Sequence, residues 1–572
     1  MARSLLLCVS IRPRPAAPRP SPPDKSCTEA TASHGMLTER NSYDAIVIGS
    51  GMGGLTVASL LAQLYRQRVL VLERADAIGG LTRSFRRPGG YAWDIGLQYV
   101  GQLGPGTPTR QVMDLVTGGQ VGWVPLPDPV ERFVYPDLSF DLPVGADHFR
   151  GALVALFPDE LAGIEAHFRD LERARRWGQL RLSLGGLSPL FRRVGDSMLR
   201  GSRELALRPT ADVLRRRLKS PALRGLLASQ WARYGLPPSQ SAFLLHAQTV
   251  EHYLEGAWYP SGGAETIPAA ARAIVEAHGG AMLPAQRVRR IVVQGGRATG
   301  VRTDDAEFRA PVVVSDAGAL ATYGELLRGV PLPFRGELES LRGGHATVSL
   351  YLGLGVDPRA LGFDGATYWI HDDYDHDRTW ERRGRVCDGD ATSCQLSFPS
   401  LKDPAAIAHT AEVVAPVDAA AFGEWTGAPR GRRGPGYDEL KARITGALLD
   451  LVERRFPGFR RVVAHAELAT PLSLRDATGH DGPRIYGIPG HPARYRAEWL
   501  GARTPVPGLV LTGADVASHG IVGAMLGGVV ALATLRGPRA LYRALTAAPS
   551  APPAHATASA ARPGAVAARR RA

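Results

Sequence analysis

The chain has 572 residues, of which 44% are hydrophobic and 21% charged, and its formal net charge is +14. This globular balance, with four cysteines and no C-x-x-C pair, excludes a disulfide-stapled secreted domain, a coiled coil and a zinc ribbon. No stretch reaches the ~18 uninterrupted apolar residues of a membrane span, which excludes a polytopic membrane protein. The small number of cysteines favours a reducing compartment, and we expect a cytoplasmic protein.

The two ends of the chain differ from its body in composition. Residues 1–42 are rich in Pro, Arg and Ser, and we interpret them as an unstructured leader or as a mis-assigned start, with Met36 opening the chain. Residues 546–572 are rich in Ala and Pro and form a predicted disordered tail. The folded body is therefore expected between residues 43 and 545.

The body begins with a strand–helix–strand pattern. Residues 43–48 and 68–72 are apolar runs that predict strands, and residues 54–65 between them predict a helix, which together make a βαβ unit. A similar alternation of predicted strands and helices occurs later in the chain. Its predicted parts are a helix over 265–278, strands over 289–293 and 299–303 joined by a Gly-Gly hairpin, a strand over 311–315, and a strand–helix pair over 509–535.

A glycine-rich turn joins the first strand to the first helix, where residues 49–54 read GSGMGG. Gly49 permits the tight turn, Gly51 lets the backbone approach a pyrophosphate, and Gly54 allows the helix to pack on the strand. Glu73 closes the second strand, where a carboxylate can bind ribose hydroxyls, and Arg74 follows it. This pattern predicts a dinucleotide site at the helix N-terminus.

Two further segments favour FAD over NAD. Gly79 and Gly80 form a second glycine-rich turn close to the first, and residues 512–515 (TGAD) end a distant strand. Residues 520–523 (GIVG) then open a helix whose N-terminus can stabilise negative charge on a flavin, while Asp515 can bond the ribityl or pyrophosphate region. We predict FAD held without a covalent bond, and leave open whether NAD(P) is a second electron carrier.

With these motifs the chain resembles the phytoene desaturase, carotenoid isomerase and retinol saturase family of FAD-dependent oxidoreductases. Three more stretches carry the resemblance, which spans about residues 43–540: residues 94–101 (DIGLQYVG), 258–263 (WYPSGG) and 397–404 (SFPSLKDP). The resemblance implies a lipophilic polyene or isoprenoid, such as a carotenoid or retinoid, as the substrate. The implied reaction is desaturation, saturation or isomerisation of carbon–carbon bonds.

The resemblance also assigns residues to the cofactor. Val288 is expected to meet the adenine through its backbone, with ordinary sheet packing as the alternative, and Gly96, Leu97 and Gln98 are expected near the isoalloxazine. The predicted cofactor-binding residues are Gly49, Gly51, Gly53, Gly54, Glu73, Arg74, Gly79, Gly80, Gly96, Leu97, Gln98, Val288, Gly513, Asp515, Ile521 and Val522.

We predict an α/β fold in which a Rossmann-like FAD-binding domain is interleaved with an α+β substrate domain. Residues 43–135, 255–325 and 500–545 form the predicted FAD-binding domain, and residues 136–254 and 326–499 the substrate domain. Two other functions share this architecture and stay open. They are a flavin amine oxidase and a non-catalytic escort that binds prenyl or other lipid groups.

Catalytic acids and bases are less clearly marked. Dehydrogenation mainly requires one C–H held against flavin N5 with water excluded, whereas saturation also needs a proton donor. By position, His519 and Tyr486 are the first candidates, followed by His252 and Tyr253. For each of them a local structural hydrogen bond is the alternative.

Two charged stretches need an interpretation. Residues 371–377 (HDDYDHD) place two His among carboxylates, and we interpret them as a solvated acidic loop rather than a metal site, so that no metal is predicted. Residues 173–224 carry fourteen basic and three acidic residues, interleaved with apolar side chains that include Trp177 and Phe191. Such a segment suits an anionic membrane interface, and a solvated helical face is the alternative.

The predicted partners follow from these interpretations. They are a lipophilic small molecule and, through residues 173–224, a membrane surface on which the protein docks peripherally. No nucleic acid is predicted, because no recognition motif accompanies the charge. The sequence leaves the oligomeric state open.

Overall fold

The computed structural model describes residues 43–186, 189–344, 346–479 and 486–549. The predicted leader and residues 550–572 of the predicted tail lie outside the described residues. Within the described part, no helix has the length and apolar character needed to cross a membrane.

The strands of the described residues are numbered here in chain order. They are β1 (Ala45–Ile48), β2 (Val69–Leu72), β3 (Ser84–Arg87), β4 (Tyr91–Asp94), β5 (Val100–Gly101), β6 (Trp123–Pro125), β7 (Glu131–Val134), β8 (Ser139–Leu142), β9 (Ala257–Pro260), β10 (Ala281–Leu283), β11 (Arg290–Gln294), β12 (Arg297–Arg302), β13 (Glu307–Arg309), β14 (Val313–Ser315), β15 (Ala346–Leu354), β16 (Thr367–His371), β17 (Ser393–Ser397), β18 (His409–Val417), β19 (Val463–Ala469) and β20 (Leu509–Leu511).

The α-helices are numbered in the same way. They are α1 (Met52–Tyr65), α2 (Pro108–Thr117), α3 (Ala146–Leu156), α4 (Leu161–Leu184), α5 (Pro189–Met198), α6 (Arg200–Ala206), α7 (Thr210–Arg217), α8 (Pro221–Leu227), α9 (Phe243–Leu254), α10 (Thr266–Ala277), α11 (Ala319–Ala321), α12 (Glu337–Ser340), α13 (His376–Glu381), α14 (Pro399–Lys402), α15 (Pro435–Arg455), α16 (Pro471–Thr478), α17 (Pro492–Arg496), α18 (Gly520–Arg536) and α19 (Pro538–Thr546).

A five-stranded parallel sheet stands at the centre of the cofactor-binding half, in the order β10-β2-β1-β14-β20. β1 and β2 are fully buried apolar runs, as parallel strands covered on both faces require. Side chains of α1, α10 and α18 share one hydrophobic cluster beside this sheet. The predicted βαβ unit and the α/β class are therefore confirmed, and α1 begins two residues before its predicted start.

All five strands of this sheet come from the three segments predicted for the FAD-binding domain. A second sheet, of seven strands in the order β19-β15-β18-β17-β16-β7-β8, is packed against α15. β7 lies inside the predicted segment 43–135, yet it pairs in parallel with β16 of this second sheet. The division into two domains stays a prediction, and its first boundary would fall before β7.

Helices from α3 to α9, α5 excepted, share an apolar cluster with residues of β7, β8, β16 and α17, and we call these helices the helical layer. Trp177, which the sequence pattern placed at a membrane interface, is fully buried in this cluster and its Nε1 donates to Asp196 Oδ1 at 2.8 Å. That expectation was wrong, because Trp177 lies on the inner face of the long helix α4. Phe191, on the next helix, is 57% exposed.

The interpretation of residues 371–377 as a solvated loop was also wrong for both histidines. His371 and His376 are buried, and they contact the Ser229 carbonyl and the Gly225 carbonyl at 3.1 and 2.9 Å. Asp372 forms ion pairs with two arginines of α15 instead of facing solvent alone. Among the described residues, no group of three or more His, Cys, Asp or Glu is arranged to hold a metal ion.

Candidate functional site

A cavity of about 640 Å³ lies at the carboxyl ends of the parallel strands. Residues that directly follow β1, β2, β14 and β20 line it: Gly49, Glu73, Asp316 and Thr512. In open α/β sheets, ligands bind at this edge, where loops and helix N-termini converge. The cavity is therefore the candidate cofactor site.

The glycine-rich turn forms one wall of the cavity. Gly49 has a φ of +92°, a left-handed conformation that side chains rarely adopt. Gly51 lies so close to Asp316, which follows β14, that a Cβ on Gly51 would sit 2.5 Å from Asp316 Oδ2. Gly53 packs on Gly513, and a Cβ on Gly54 would collide with the Gly49 carbonyl. The turn can only be built from glycines at these positions.

Glu73 is buried at the end of β2 and holds the turn in place. Its Oε2 accepts hydrogen bonds from Ser50 N at 2.9 Å and Ser50 Oγ at 2.6 Å, and its Oε1 accepts from Ala75 N at 2.9 Å. A carboxylate can accept about four hydrogen bonds, so one position remains for a ribose hydroxyl. Glu73 thus has a structural role in the turn, and its binding of a ribose hydroxyl stays a prediction.

The second glycine-rich turn lies directly against the first. Gly79 N donates to Ser50 Oγ at 2.9 Å, and a Cβ on Gly80 would lie 3.1 Å from the Gly51 Cα. Arg74 Nε, on the same side of the cavity, donates to the Thr478 carbonyl at 3.1 Å. Two turns and the start of α1 therefore enclose the end of the cavity that suits a pyrophosphate.

Asp515 is buried between two loops of the cavity wall. Its Oδ2 accepts from Ala319 N at 2.8 Å and its Oδ1 from Ile488 N at 2.9 Å. The loop after β14 and the segment before α17 are thereby tied to the loop after β20. Asp515 is positioned to face a ligand while it anchors three chain segments.

Ten of the predicted residues line the cavity: Gly49, Gly51, Glu73, Arg74, Gly80, Gly96, Val288, Tyr486, Asp515 and Ile521. Eight others are not among the described residues of its wall: Gly53, Gly54, Gly79, Leu97, Gln98, Gly513, His519 and Val522. Leu97 and Val522, for example, belong to the hydrophobic core.

The two first catalytic candidates are adjacent. The rings of Tyr486 and His519 stack with centroids 5.3 Å apart and an angle of 13° between their planes. Arg494 Nη1 lies 2.6 Å from His519 Nε2, and its positive charge together with burial lowers the pKa of His519 to about 3. Burial raises the pKa of Tyr486. At neutral pH the imidazole is therefore neutral, while Tyr486 keeps its proton.

His252 and Tyr253, the other two catalytic candidates, make contacts outside the cavity wall. His252 Nε2 accepts from Gly101 N at 3.0 Å, and burial lowers the pKa of His252 to about 3. The Tyr253 hydroxyl contacts Arg233. Neither residue lines the described cavity. The alternative of a local structural hydrogen bond fits both of them.

The structure also shows a buried polar cluster that the sequence did not reveal. Arg233 pairs with the fully buried Glu131 at 3.0 Å, and its guanidinium lies 4.9 Å from the Tyr99 ring centroid. Lys402 Nζ lies 4.7 Å from the same ring centroid, and burial lowers the pKa of Lys402 to about 7. Burial raises the pKa of Glu412, a neighbour of Lys402, to about 8.

Sequence reasoning also missed Asp316, Gln286 and Thr478, which all line the cavity. Asp316 carried one usable signal, since it directly follows an apolar strand. Gln286 stands two residues before Val288, in the segment expected at the adenine, so its position was also a signal. Thr478 carried none, because only the three-dimensional fold brings it to this edge.

The cavity offers two sets of groups, and each set fits one half of FAD. The first half offers a helix N-terminus, two glycine turns and the Glu73 carboxylate, and the second offers Asp515 and the start of α18. Val288 and Tyr486 line the same cavity as these groups. Bound FAD would there supply two-electron chemistry.

Comparison with known proteins identifies the family. Residues 52–405 match the family described as flavin containing amine oxidoreductase. The chain is 30% identical over 536 residues to an all-trans-retinol 13,14-reductase of Danio rerio, covering 88% of each chain. It is 25% identical over 467 residues to a chloroplastic prolycopene isomerase of Arabidopsis thaliana, covering 78% of this chain and 75% of the isomerase.

A solved structure shares the fold. Cyclohexylamine oxidase from Brevibacterium oxydans IH-35A superposes with a TM-score of 0.57 at 19% identity, covering 88% of this chain and 98% of the oxidase. Fold and site thus define an FAD-dependent oxidoreductase. The chain belongs to the flavin-containing amine oxidoreductase family.

Proposed function

We propose that this enzyme acts on carbon–carbon bonds of a lipophilic polyene, with a retinoid or carotenoid as the substrate class. The observation that carries the proposal is the extent of the likeness to the retinol reductase. It covers 88% of both chains and therefore includes the helical layer and the seven-stranded sheet as well as the nucleotide motifs. Saturation is the favoured direction, because the likeness to the isomerase is weaker and shorter.

A second cavity supports an apolar substrate. It has a volume of about 70 Å³ and lies between α4, α9 and α18, with Leu182, Leu244, Leu526 and Val530 on its wall. Residues from the start of α18 line the large cavity as well. A polyene needs more room than 70 Å³, so its binding must move some of these side chains.

Tyr486 and His519 receive different roles in this proposal. Saturation of a double bond adds one hydride and one proton. Reduced FAD, when bound, would supply the hydride, so the proton must come from a protein acid. Tyr486 lines the cavity and keeps its proton at neutral pH, so we assign it the proton. His519 stacks on the Tyr486 ring and is held by Arg494, which makes it a positioning residue.

Anaerobic assays test this function. Purified protein should be yellow, and acid precipitation should release its FAD, since we assign no residue to a covalent link. Incubation with polyenes under reductant should give saturated products, while Tyr486→Phe should lose most of that turnover and keep its flavin absorbance. Tyr437→Phe, which changes a buried tyrosine of α15 in the cluster beneath the second sheet, is the matched control.

The alternatives give different results in the same assay. A flavin amine oxidase would lose its yellow colour when amines, but not polyenes, are added without oxygen. A non-catalytic escort would be purified without flavin, or would bind polyenes and leave them unchanged. Either result would contradict the proposal.

We also propose that the protein, in the cytoplasmic compartment expected from its sequence, docks on anionic membranes, where polyenes are stored. The apolar contact is α5, on which Phe191, Val194 and Met198 are 57%, 50% and 77% exposed. Their spacing of three and four residues places them on one helical face. The basic excess of residues 173–224 flanks this helix along the chain, although many of its arginines are paired with carboxylates, Arg193 with Glu498 and Arg200 with Glu204 among them.

Co-sedimentation with vesicles of increasing anionic lipid content tests the docking. Binding should increase with the anionic fraction and weaken with salt, because exposed charges are screened beyond ~10 Å at 0.1 M. Phe191→Ser combined with Met198→Ser should reduce binding without changing flavin content. The control Ile407→Ser, which removes another exposed apolar side chain (87%), should bind as the wild type does. A wild-type protein that stays in the supernatant at every composition would refute the docking.

A further inference from the structure

Asp316 lies in an unusual place for a carboxyl group. It follows β14, the parallel neighbour of β1, and its N–H donates to the Ile48 carbonyl at 2.8 Å. Its side chain then turns toward the glycine-rich turn. Cβ atoms built on Gly51 and Gly53 would lie 2.5 and 2.6 Å from its two carboxyl oxygens.

The carboxyl group caps helix α1 from a distant part of the chain. The N-cap residue, Gly51, has no side chain that could accept a hydrogen bond from the first turn. Asp316 caps the helix instead, because the backbone N–H groups of Gly51 and Gly54 donate to its carboxyl oxygens. The same helix end carries a partial positive charge of about half an elementary charge.

A dinucleotide pyrophosphate uses the same helix end. Its negative charge is stabilised by the first-turn N–H groups and by the helix dipole, which are the groups that Asp316 already contacts. An ionised Asp316 would therefore compete with the pyrophosphate for one partial positive charge and repel it at short range. A neutral carboxylic acid would keep its hydrogen bonds to the turn without that repulsion.

The charged neighbours of Asp316 act in the same direction. Glu73, at the end of β2, and Asp515, after β20, are the ionisable groups that most strongly favour its protonated form, and the turn after β1 adds no ionisable side chain. Arginines also line the cavity, at positions 74, 287, 289, 290 and 328. Burial is the largest cause of the shift. The hydrogen bonds from the N–H groups of Gly54 and Gly51 oppose it, but burial and the two carboxylates together raise the pKa of Asp316 to about 8.

We propose that FAD is bound only when the Asp316 side chain is a neutral acid, so that cofactor binding is linked to one proton on this residue. Below pH 8 the free protein already carries this proton, and FAD affinity is independent of it. Above pH 8 the proton must be taken up on binding, and affinity falls by up to tenfold for each pH unit. The proposal concerns FAD alone and does not depend on the identity of the substrate.

Titration of apoprotein with FAD from pH 6.5 to 9.5, followed by flavin fluorescence, measures the linkage. The wild type should bind with constant affinity up to about pH 7.5 and then weaken by about three- to tenfold between pH 8 and 9. Asp316→Asn should remove this decline, because the amide cannot ionise. Glu412→Gln is the matched control. It removes another buried carboxyl whose pKa is raised to about 8, but that carboxyl does not line the described cavity, so the decline should persist.

A second measurement needs no variant and counts the proton directly. Calorimetric titration of the wild type with FAD at pH 9, in two buffers of different ionisation enthalpy, should show uptake approaching one proton, and almost none at pH 7. No uptake at pH 9 would overturn the proposal. So would an Asp316→Asn protein with the wild-type pH profile, or a Glu412→Gln protein that has lost it.

Discussion

Replacing Asp515 with alanine tests the second half of the cofactor site. The change removes a buried carboxylate that accepts from Ala319 N and Ile488 N at 2.8 and 2.9 Å. Each buried N–H left without an acceptor costs about 1–3 kcal/mol, so the apoprotein should lose about 2–6 kcal/mol of stability. Asp515→Asn keeps one acceptor oxygen, so this variant should lose about half as much stability.

The cofactor should be affected separately. If Asp515 also bonds FAD, the alanine variant loses a charge-assisted hydrogen bond worth about 1.5–3 kcal/mol. At about 1.4 kcal/mol per decade, FAD affinity should then fall by about ten- to a hundredfold. Denaturant unfolding of the apoprotein and fluorescence titration with FAD measure the two effects independently.

Asp403 provides a matched control for this experiment. Its Oδ1 also accepts from two backbone N–H groups, those of Gly262 and Ala405 at 3.0 and 2.9 Å, but it does not line the described cavity. Asp403→Ala should lower stability and leave the FAD dissociation constant unchanged. If Asp515→Ala behaves in the same way, its role is purely structural, and the assignment of Asp515 to FAD is refuted.

Two further predictions follow from the same contacts. Gly51→Val should abolish FAD binding, because even its Cβ would lie 2.5 Å from Asp316 Oδ2, whereas Gly446→Val, where a Cβ meets nothing within 4 Å, should stay yellow. Acid should destabilise the helical layer, since burial lowers the pKa of His167 to about 4 and that of His246 well below its usual 6.5. Between pH 6.5 and 4 the unfolded chain binds more protons than the folded one. Stability present at pH 7 is thus lost on acidification, by up to about 1.4 kcal/mol per pH unit for each group, and equal denaturant midpoints at pH 7 and pH 5 would contradict this.

Local sequence patterns were enough to predict much of the fold. The apolar runs, the glycine turns and the Gly-Gly hairpin between β11 and β12 correspond to elements whose ends differ from the prediction by a few residues at most. Such features depend on hydrophobic period and on backbone conformations that glycine adopts at low cost. The α/β class and the FAD-dependent function follow from them.

Burial was harder to predict than secondary structure. Trp177 and Phe191 occupy the same basic stretch and suggested the same interfacial role, yet one is fully buried and the other is 57% exposed. A helical pattern shows that two faces differ, but it does not show which face meets the rest of the protein. His371 and His376 illustrate the same point, since their acidic neighbours suggested solvent while the rings pack inside.

The acids around the glycine turn show what information the sequence lacked. Glu73, Asp316 and Asp515 follow three different strands, and the parallel sheet gathers all three at one edge. Glu73 and Asp515 were predicted because each stands at a set distance from a recognisable glycine motif. Asp316 has no such motif, and its importance depends on β14 lying next to β1, which is a matter of strand order. Once that order is known, the residue after β14 must lie beside the glycine-rich turn after β1, since parallel neighbours end at the same edge. A search for acids that follow the strands next to β1 would therefore find residues of this kind in other sheets with the same order.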